Sequence, residues 1–332
     1  VYLPAGTYRL QIPSIDNPTE LQQRSILQIT TPNVVIRGAG VDQTFLINHS
    51  IQMNRRSVFL VQADGRAGWM TVRGSAQAVA RDIDMPTAVI PLRSVDGLNV
   101  GDTIVIREDL SEARLAELDM TQHWVTWGKK DPMLCRDIVA IDKANNTVTL
   151  DAPTRMPILT RDNARLYKID PLLEGVGFEH FSIGNLEHPR AYTEGVSLKG
   201  QPLVDSESHE DWLADDANWA GRGNAYDSPE SFVSDLHDSY LINLIRTRDS
   251  WIRSVNSFRP AQNTRDVHML SNGIILTDSR FVTIENCELA NPQFVGAGGN
   301  GYLVSFGGPD NLLKDSKLVR GRHPFAHRGP QT

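Results

Sequence analysis

The chain has 332 residues, 40% hydrophobic and 22% charged, with a formal net charge of −7. This is an ordinary globular composition and argues against a disordered chain; the acidic balance argues against a general nucleic-acid binder, which needs a basic surface to neutralise phosphate. No apolar run approaches the roughly 18 residues of a membrane-spanning helix, and two cysteines, Cys135 and Cys287, are too few for a disulfide framework.

From the first residue the sequence reads as β. VYLPAGTYRLQI, SILQIT, NVVIRGAG and QTFLINHS are short apolar runs within 1–60, each bounded by Pro, Gly, Asn or Asp. Opening already in a strand and stopping at HRGPQT without an obvious cap, the chain is expected to have natural ends beyond both of these. The texture changes over 85–170. TAVIPL, DTIVIRED, RDIVAIDKANNTVTLDAP and NARLYKID predict strands joined by tight turns, with KANNT as a hairpin turn. SEARLAELDM (111–120) has helical spacing. Coil-like strands resume at GVGFEHFSIGN (175–185), followed by a long irregular stretch over about 186–235 that is rich in acids. A loop of that length in a compact protein is usually functional or disordered.

The last hundred residues repeat themselves. SNGIILTDSRFVTIENCEL and NGYLVSFGGPDNLLKDSKL share Asn-Gly (Asn272-Gly273, Asn300-Gly301), a short strand, a polar turn and a second strand; LINLIRTRDSWIRSVNSF is a looser version one step earlier. A period near 30 residues indicates a solenoid, because one such unit cannot bury its own apolar face and stacked units can. The predicted fold is all-β: a right-handed parallel β-helix with coils over 1–84 and 171–332 and a β-rich module inserted at 85–170. Ile252, Val282 and Leu312 are expected to form an inward column, and Asn256, Asn286 and Asp315 a turn ladder that satisfies backbone groups. Cys287 is expected to occupy the small-residue slot of Ser257 and Ser316, a packing role and not a redox one.

The opening YLPAGTYRL…VVIRGAGVDQTFL, together with VGFEHFSIGN and SRFVTIENCEL, is similar to coils of the pectate-lyase-like (pectin lyase fold) superfamily. The resemblance covers about 1–60 and 170–330. It implies a secreted, periplasmic or cell-surface protein acting on a polysaccharide partner, with possible self-association or surface assembly. It carries no catalytic residue across, because the calcium-site and base motifs of that superfamily are not recognisable, nor are the polygalacturonase-type NTD, DD, GHG and RIK motifs.

Candidate chemistry therefore rests on residue type. A lyase acting on a uronate-containing polymer by β-elimination needs a cation for the carboxylate, a base for the C5 proton and an acid for the leaving oxygen. LVRGRHPFAHR (318–328) concentrates Arg320, Arg322, His323, His327 and Arg328 on an otherwise acidic chain; TRDVHMLSNG adds Arg265, Asp266 and His268; SDLHDSY adds Asp235, His237, Asp238 and Tyr240. His268 and His323 are the acid–base candidates, Arg322 the carboxylate partner, and His237 and Arg246 the reserves. Arg320 and Tyr240, with Trp124, Trp127, Trp212 and Trp219 as stacking faces, are the substrate-binding candidates. Asp235 and Asp238 would serve a glycoside hydrolase, which needs paired carboxylates. Asp205, Glu207, Glu210, Asp211, Asp215 and Asp216 could bind Ca²⁺, but without the alternation of a dedicated loop they define no metal site. The rival outside enzymology is a non-catalytic glycan-binding or assembly protein. GAGGNG (296–301) lacks the Lys-Ser/Thr and following helix of a phosphate loop and is set aside.

Overall fold

The computed structural model describes residues 1–13, 23–63, 69, 71–117, 133–188, 235–295 and 299–327. It divides into two compact units.

The first unit, Val1–Asp64 with Leu173–Gly307 and Asn311–His327, is the parallel β-helix. One of its walls is a six-stranded sheet running Ser25–Ile29, Ser57–Val61, Tyr240–Ile245, Asn272–Thr277, Tyr302–Gly307, His323–His327, every neighbour parallel. The rest of each coil belongs to an eleven-stranded sheet in two runs. The first run stacks Val35–Gly38, Gly177–Asn185, Thr247–Ser257, Arg280–Glu285 and Leu312–Lys314. The second run stacks Thr44–Asn48, the end of Gly177–Asn185, the end of Thr247–Ser257, Glu288–Ala290 and Lys317–Val319.

Register fixes what each position does. Ile36, Phe178, Ile252, Ile284 and Leu313 pair in succession and form one inward column, of which Phe178, Ile252 and Ile284 are fully buried. The expected column is thus corrected: Val282 pairs with Ser250, and Leu312 pairs with Thr283 and is 49% exposed. One residue on, the outward column reads Arg37, Glu179, Arg253, Glu285, Lys314, with alternating charge and ion pairs of 3.1, 3.7, 2.5 and 2.7 Å between neighbours. A one-residue slip would exchange the two columns, so both burial and charge hold the register.

The next position makes the bend between the two runs. His180, Ser254, Asn286 and Asp315 all have positive φ (59°, 51°, 53° and 49°). A left-handed residue costs a non-glycine chain roughly 1 kcal/mol, and the Asn286 amide offsets part of it by donating to Ser254 Oγ at 2.8 Å. Asn286 and Asp315 are slot-mates as expected, but the third member is Ser254; Asn256 lies two residues further on, its Oδ1 accepting the Glu288 amide at 2.9 Å. The Asn-Gly correspondence also shifts, since Asn272 occupies the slot of Tyr302, whose amide it accepts at 2.9 Å. The inter-coil step is 32 residues from Ser254 to Asn286, 30 from Asn272 to Tyr302 and 29 from Glu288 to Lys317. Cys287 lies in register with Val255 and Ser316, not Ser257; it is buried, and burial pushes its thiol up to about 11.

The second unit includes Gly65–Leu172 and Gly308–Asp310. It begins about twenty residues before the expected boundary at 85, because Arg73–Ala78 pairs with Arg165–Lys168. Its antiparallel sheet runs Arg73–Ala78, Arg165–Lys168, Thr103–Arg107, Met133–Asp142, Thr147–Leu150, Val89–Pro91. An antiparallel bridge between Val79 and Leu92 joins the two edges, so the sheet closes on a core that includes Ile90, Ile104, Leu134, Val148 and Leu166. The predicted hairpin sits at Asp142–Thr147, where the Asp142 carboxylate accepts the Ala144 and Asn145 amides. The predicted helix is Glu112–Glu117, its first turn capped by Ser111 Oγ accepting from Arg114 N at 3.0 Å.

Candidate functional site

The left-handed bends recess the surface between the two runs of the large sheet. The result is a groove of about 740 Å³ lined by Gly40–Gln43, His180, Ser254, Asn256, Asn286–Glu288 and Asp315–Lys317. These residues come from five successive coils. With neighbouring strands about 4.8 Å apart, the groove extends along the stack for about 19 Å. Its lining is short and polar, so hydrogen-bonding groups face a path parallel to the helix axis. Lys317 Nζ pairs with Glu288 Oε1 at 2.7 Å, whereas Asp42 and Asp315 accept no hydrogen bond from the described residues.

The short strand Glu288–Ala290 leads from this groove to a second polar group. At its end Asn291 takes a positive φ of 54° and donates from Nδ2 to Asp266 Oδ2 at 2.7 Å. His268 stands between Ser257 and Asp266: Nδ1 lies 3.0 Å from Ser257 Oγ and Nε2 lies 3.2 Å from Asp266 Oδ1. Arg320, itself at a positive-φ position, approaches Asp266 Oδ2 at 3.7 Å. Ser257 Oγ also accepts the Ala290 amide at 2.8 Å, tying the group to the neighbouring coil. Burial lowers the His268 pKa below its ordinary value, against the opposing pull of Asp266 and, more weakly, Glu288. The imidazole is therefore neutral near pH 7. In the tautomer with the proton on Nε2, His268 donates to Asp266 and Nδ1 accepts from the Ser257 hydroxyl; in the other, Nδ1–H donates to Ser257 and Nε2 faces the Asn291 amide at 3.4 Å. Asp266 is the open end of this chain, its side chain 55% exposed against 17% for His268.

The remaining candidates fall elsewhere. His237, Asp238, Tyr240 and His323 gather at the start of the six-stranded wall. His237 Nδ1 is 3.1 Å from Asn300 Nδ2, Tyr240 Oη donates to Asp238, and the His323 ring stacks on Tyr302 at 4.9 Å. Arg322 packs on Gly301, where an added Cβ would come within 2.8 Å of the Arg322 Cβ. Arg246 occupies a positive-φ bend between Tyr240–Ile245 and Thr247–Ser257, its amide donating to Thr277 O. The sequence grouping of His268 with Arg322 and His323 is thus divided between two places, and Arg320 is the arginine beside His268. Asp235 and Asp238 have different partners: Asp235 Oδ2 lies 3.2 Å from His188 Nε2. Trp124, Trp127, Trp212 and Trp219, and the acids of 205–216, lie outside the described residues. Among the described residues, no three His, Cys, Asp or Glu side chains come together as a metal site.

Sequence reasoning missed the groove. Asp42, Gln43, His180, Glu288 and Lys317 are unremarkable in type and up to 275 positions apart; only the inter-coil register collects them. The 32-residue spacing of Ser254 and Asn286 was the available signal for the bend.

No family model and no curated protein matches the chain. Solved structures similar to it are phage tailspikes, right-handed parallel β-helix proteins. The tailspike protein gp49 from Pseudomonas phage LKA1 matches 99% of this chain at 15% identity with a TM-score of 0.51. The gp54 tailspike of Acinetobacter baumannii bacteriophage AP22, solved with A. baumannii capsular saccharide, matches 96% at 12% identity and TM-score 0.42. The Pseudomonas phage phi297 tailspike gp61 matches 95% at 10% and 0.40. The chain spans 39%, 41% and 49% of the lengths of these proteins. At such identity the first likeness is one of fold alone. Among the described residues no helix is long and apolar enough to cross a membrane.

Proposed function

We propose that this chain binds a polysaccharide lengthwise on the lateral face of its β-helix, as an extracellular or surface-exposed member of the pectate-lyase-like superfamily, and that it cleaves a uronate-containing chain by β-elimination. The observation that carries the binding reading is the groove: polar, open and continuous over five coils, it suits an extended polymer better than a compact metabolite.

The chemical reading uses the group at the end of Glu288–Ala290. Arg320 would face the uronate carboxylate and lower the cost of charge developing on it. The C5 proton would pass to Asp266, the exposed end of the pair, while the His268 Nε2–H holds the other carboxylate oxygen. The C5–H electrons would form the C4–C5 double bond as the C4–O bond breaks, and the leaving oxygen would take a proton from solvent or from the pair. His268 is then the positioning residue, acting in the tautomer that carries its proton on Nε2.

A glycoside hydrolase is the second reading, favoured by three carboxylates, Asp42, Glu288 and Asp315, lining one groove. The deciding experiment is absorbance near 235 nm and reducing-end release on a panel of uronate-containing and neutral polysaccharides. An unsaturated product, lost in Asp266→Asn and Arg320→Ala, supports elimination. Reducing ends without absorbance support hydrolysis. Silence in both across the panel rejects cleavage and leaves binding.

A further inference from the structure

The charges of the groove differ from those a polyuronide would require. Of its ionisable lining, Lys317 is paired to Glu288, which leaves Asp42 and Asp315 as charges of one sign, with the His180 imidazole between them in the stack. Asp42 and Asp315 are both exposed to the groove, and no described arginine or lysine is bound to either. A uronate carboxylate laid here would meet like charge without a compensating cation. Protonated amino groups on separate units would each meet one carboxylate, and a neutral sugar would meet the acceptors of Asn256 and Asn286. Around Asp266 the balance is different, because Arg320 is there. Glu288 and Asn291 are three residues apart on extended chain, about 10 Å.

We infer that the groove is a subsite for an amino sugar, so that the polymer this protein takes carries free or partly acetylated hexosamine next to the unit presented to Arg320. This rests on the polysaccharide reading above and gives it a substrate class: a mixed-charge heteropolymer and not a homopolyuronide. Ammonium groups on separate sugar units would meet Asp42 at one end of the groove and Asp315 at the other, and ring hydroxyls between them would bond to Asn256, Asn286 and the Lys317–Glu288 pair.

The test is calorimetric titration of the whole chain at physiological salt with three oligomers of equal length: a β-1,4-glucosamine oligomer, its fully N-acetylated form and an oligogalacturonate. The expected order is glucosamine tightest and galacturonate weakest. Asp42→Asn and Asp315→Asn should each weaken the glucosamine oligomer about threefold, the scale of one exposed ion pair, and together about tenfold. Asp84→Asn, an exposed acid of the second unit, should leave it unchanged and so separates a local site from general attraction to an acidic chain. Gln43→Trp, which sets an indole across one end of the groove, should abolish lengthwise binding of all three. Galacturonate binding as tightly as glucosamine, yet still lost in Gln43→Trp, would overturn the amino-sugar inference while keeping the groove. Binding insensitive to Gln43→Trp, or absent for all three oligomers, would overturn both.

Discussion

Replacing Ile252 by Ala tests the register on which the groove depends. Ile252 has no exposed surface and is stacked between Phe178 and Ile284 in the inward column. Ile→Ala removes three carbon atoms, about 2.4 kcal/mol of transfer free energy at about 0.8 kcal/mol each. Neighbours above and below are held by their own strands and cannot collapse fully, so a residual cavity adds between about 1 and 2 kcal/mol. The expected loss is about 4 kcal/mol. Leu312→Ala, proposed from the sequence as an equivalent position, should cost under about 1 kcal/mol, since that side chain is half exposed. Guanidinium unfolding measures both, with Ile104→Ala, buried in the second unit, identifying the transition that belongs to that unit. Equal losses for Ile252→Ala and Leu312→Ala would refute the pairing of Ile284 with Leu313.

The pH dependence of stability should carry a signature of His268. Its folded pKa lies below the unfolded value of 6.5, so the unfolded chain binds the extra proton; the contribution is full above 6.5 and is lost as pH falls through the folded pKa. His268→Gln should flatten the urea midpoint between pH 7 and pH 5, and an unchanged slope would contradict the burial argument. Both thiols, buried in the native chain, should resist an aromatic disulfide reagent at pH 8 and react on unfolding; rapid native reaction of Cys287 would contradict its raised pKa. Neutralising the middle of the outward charge column, Glu285→Gln, should lower stability slightly at low salt and less at high salt. Its carboxyl is held below the usual range by hydrogen bonds from Lys314 and Arg253, so that effect should fade in acid; a loss independent of salt would point to packing instead.

Much of the architecture was readable because a stacked coil must present an apolar residue at the same slot each turn. The strands at 25–29, 35–38, 272–277 and 302–307, the hairpin at KANNT and the helix after Ser111 follow from local pattern and turn chemistry. Register was less accessible. Coil length varies between 29 and 32 residues, so matching Asn272-Gly273 to Asn300-Gly301 aligns residues that do not pair, and choosing Leu312 over Leu313 exchanges an inner face for an outer one. His268 could be found from its type, but Ser257 and Asn291 beside it, and Arg320 beside its partner Asp266, come from three different coils. The groove left no local trace, because each coil contributes only one to four polar residues at a bend that His, Ser, Asn and Asp adopt alike.

The most direct test of the central claim is native gel retardation in gels cast with a panel of bacterial and plant polysaccharides, comparing the wild-type chain with Gln43→Trp. The account predicts that at least one polysaccharide slows the wild type and that the substitution, which obstructs one end of the groove, restores free mobility. Retardation that survives Gln43→Trp, or no retardation by any member of the panel, would contradict a glycan path along the bends of the β-helix.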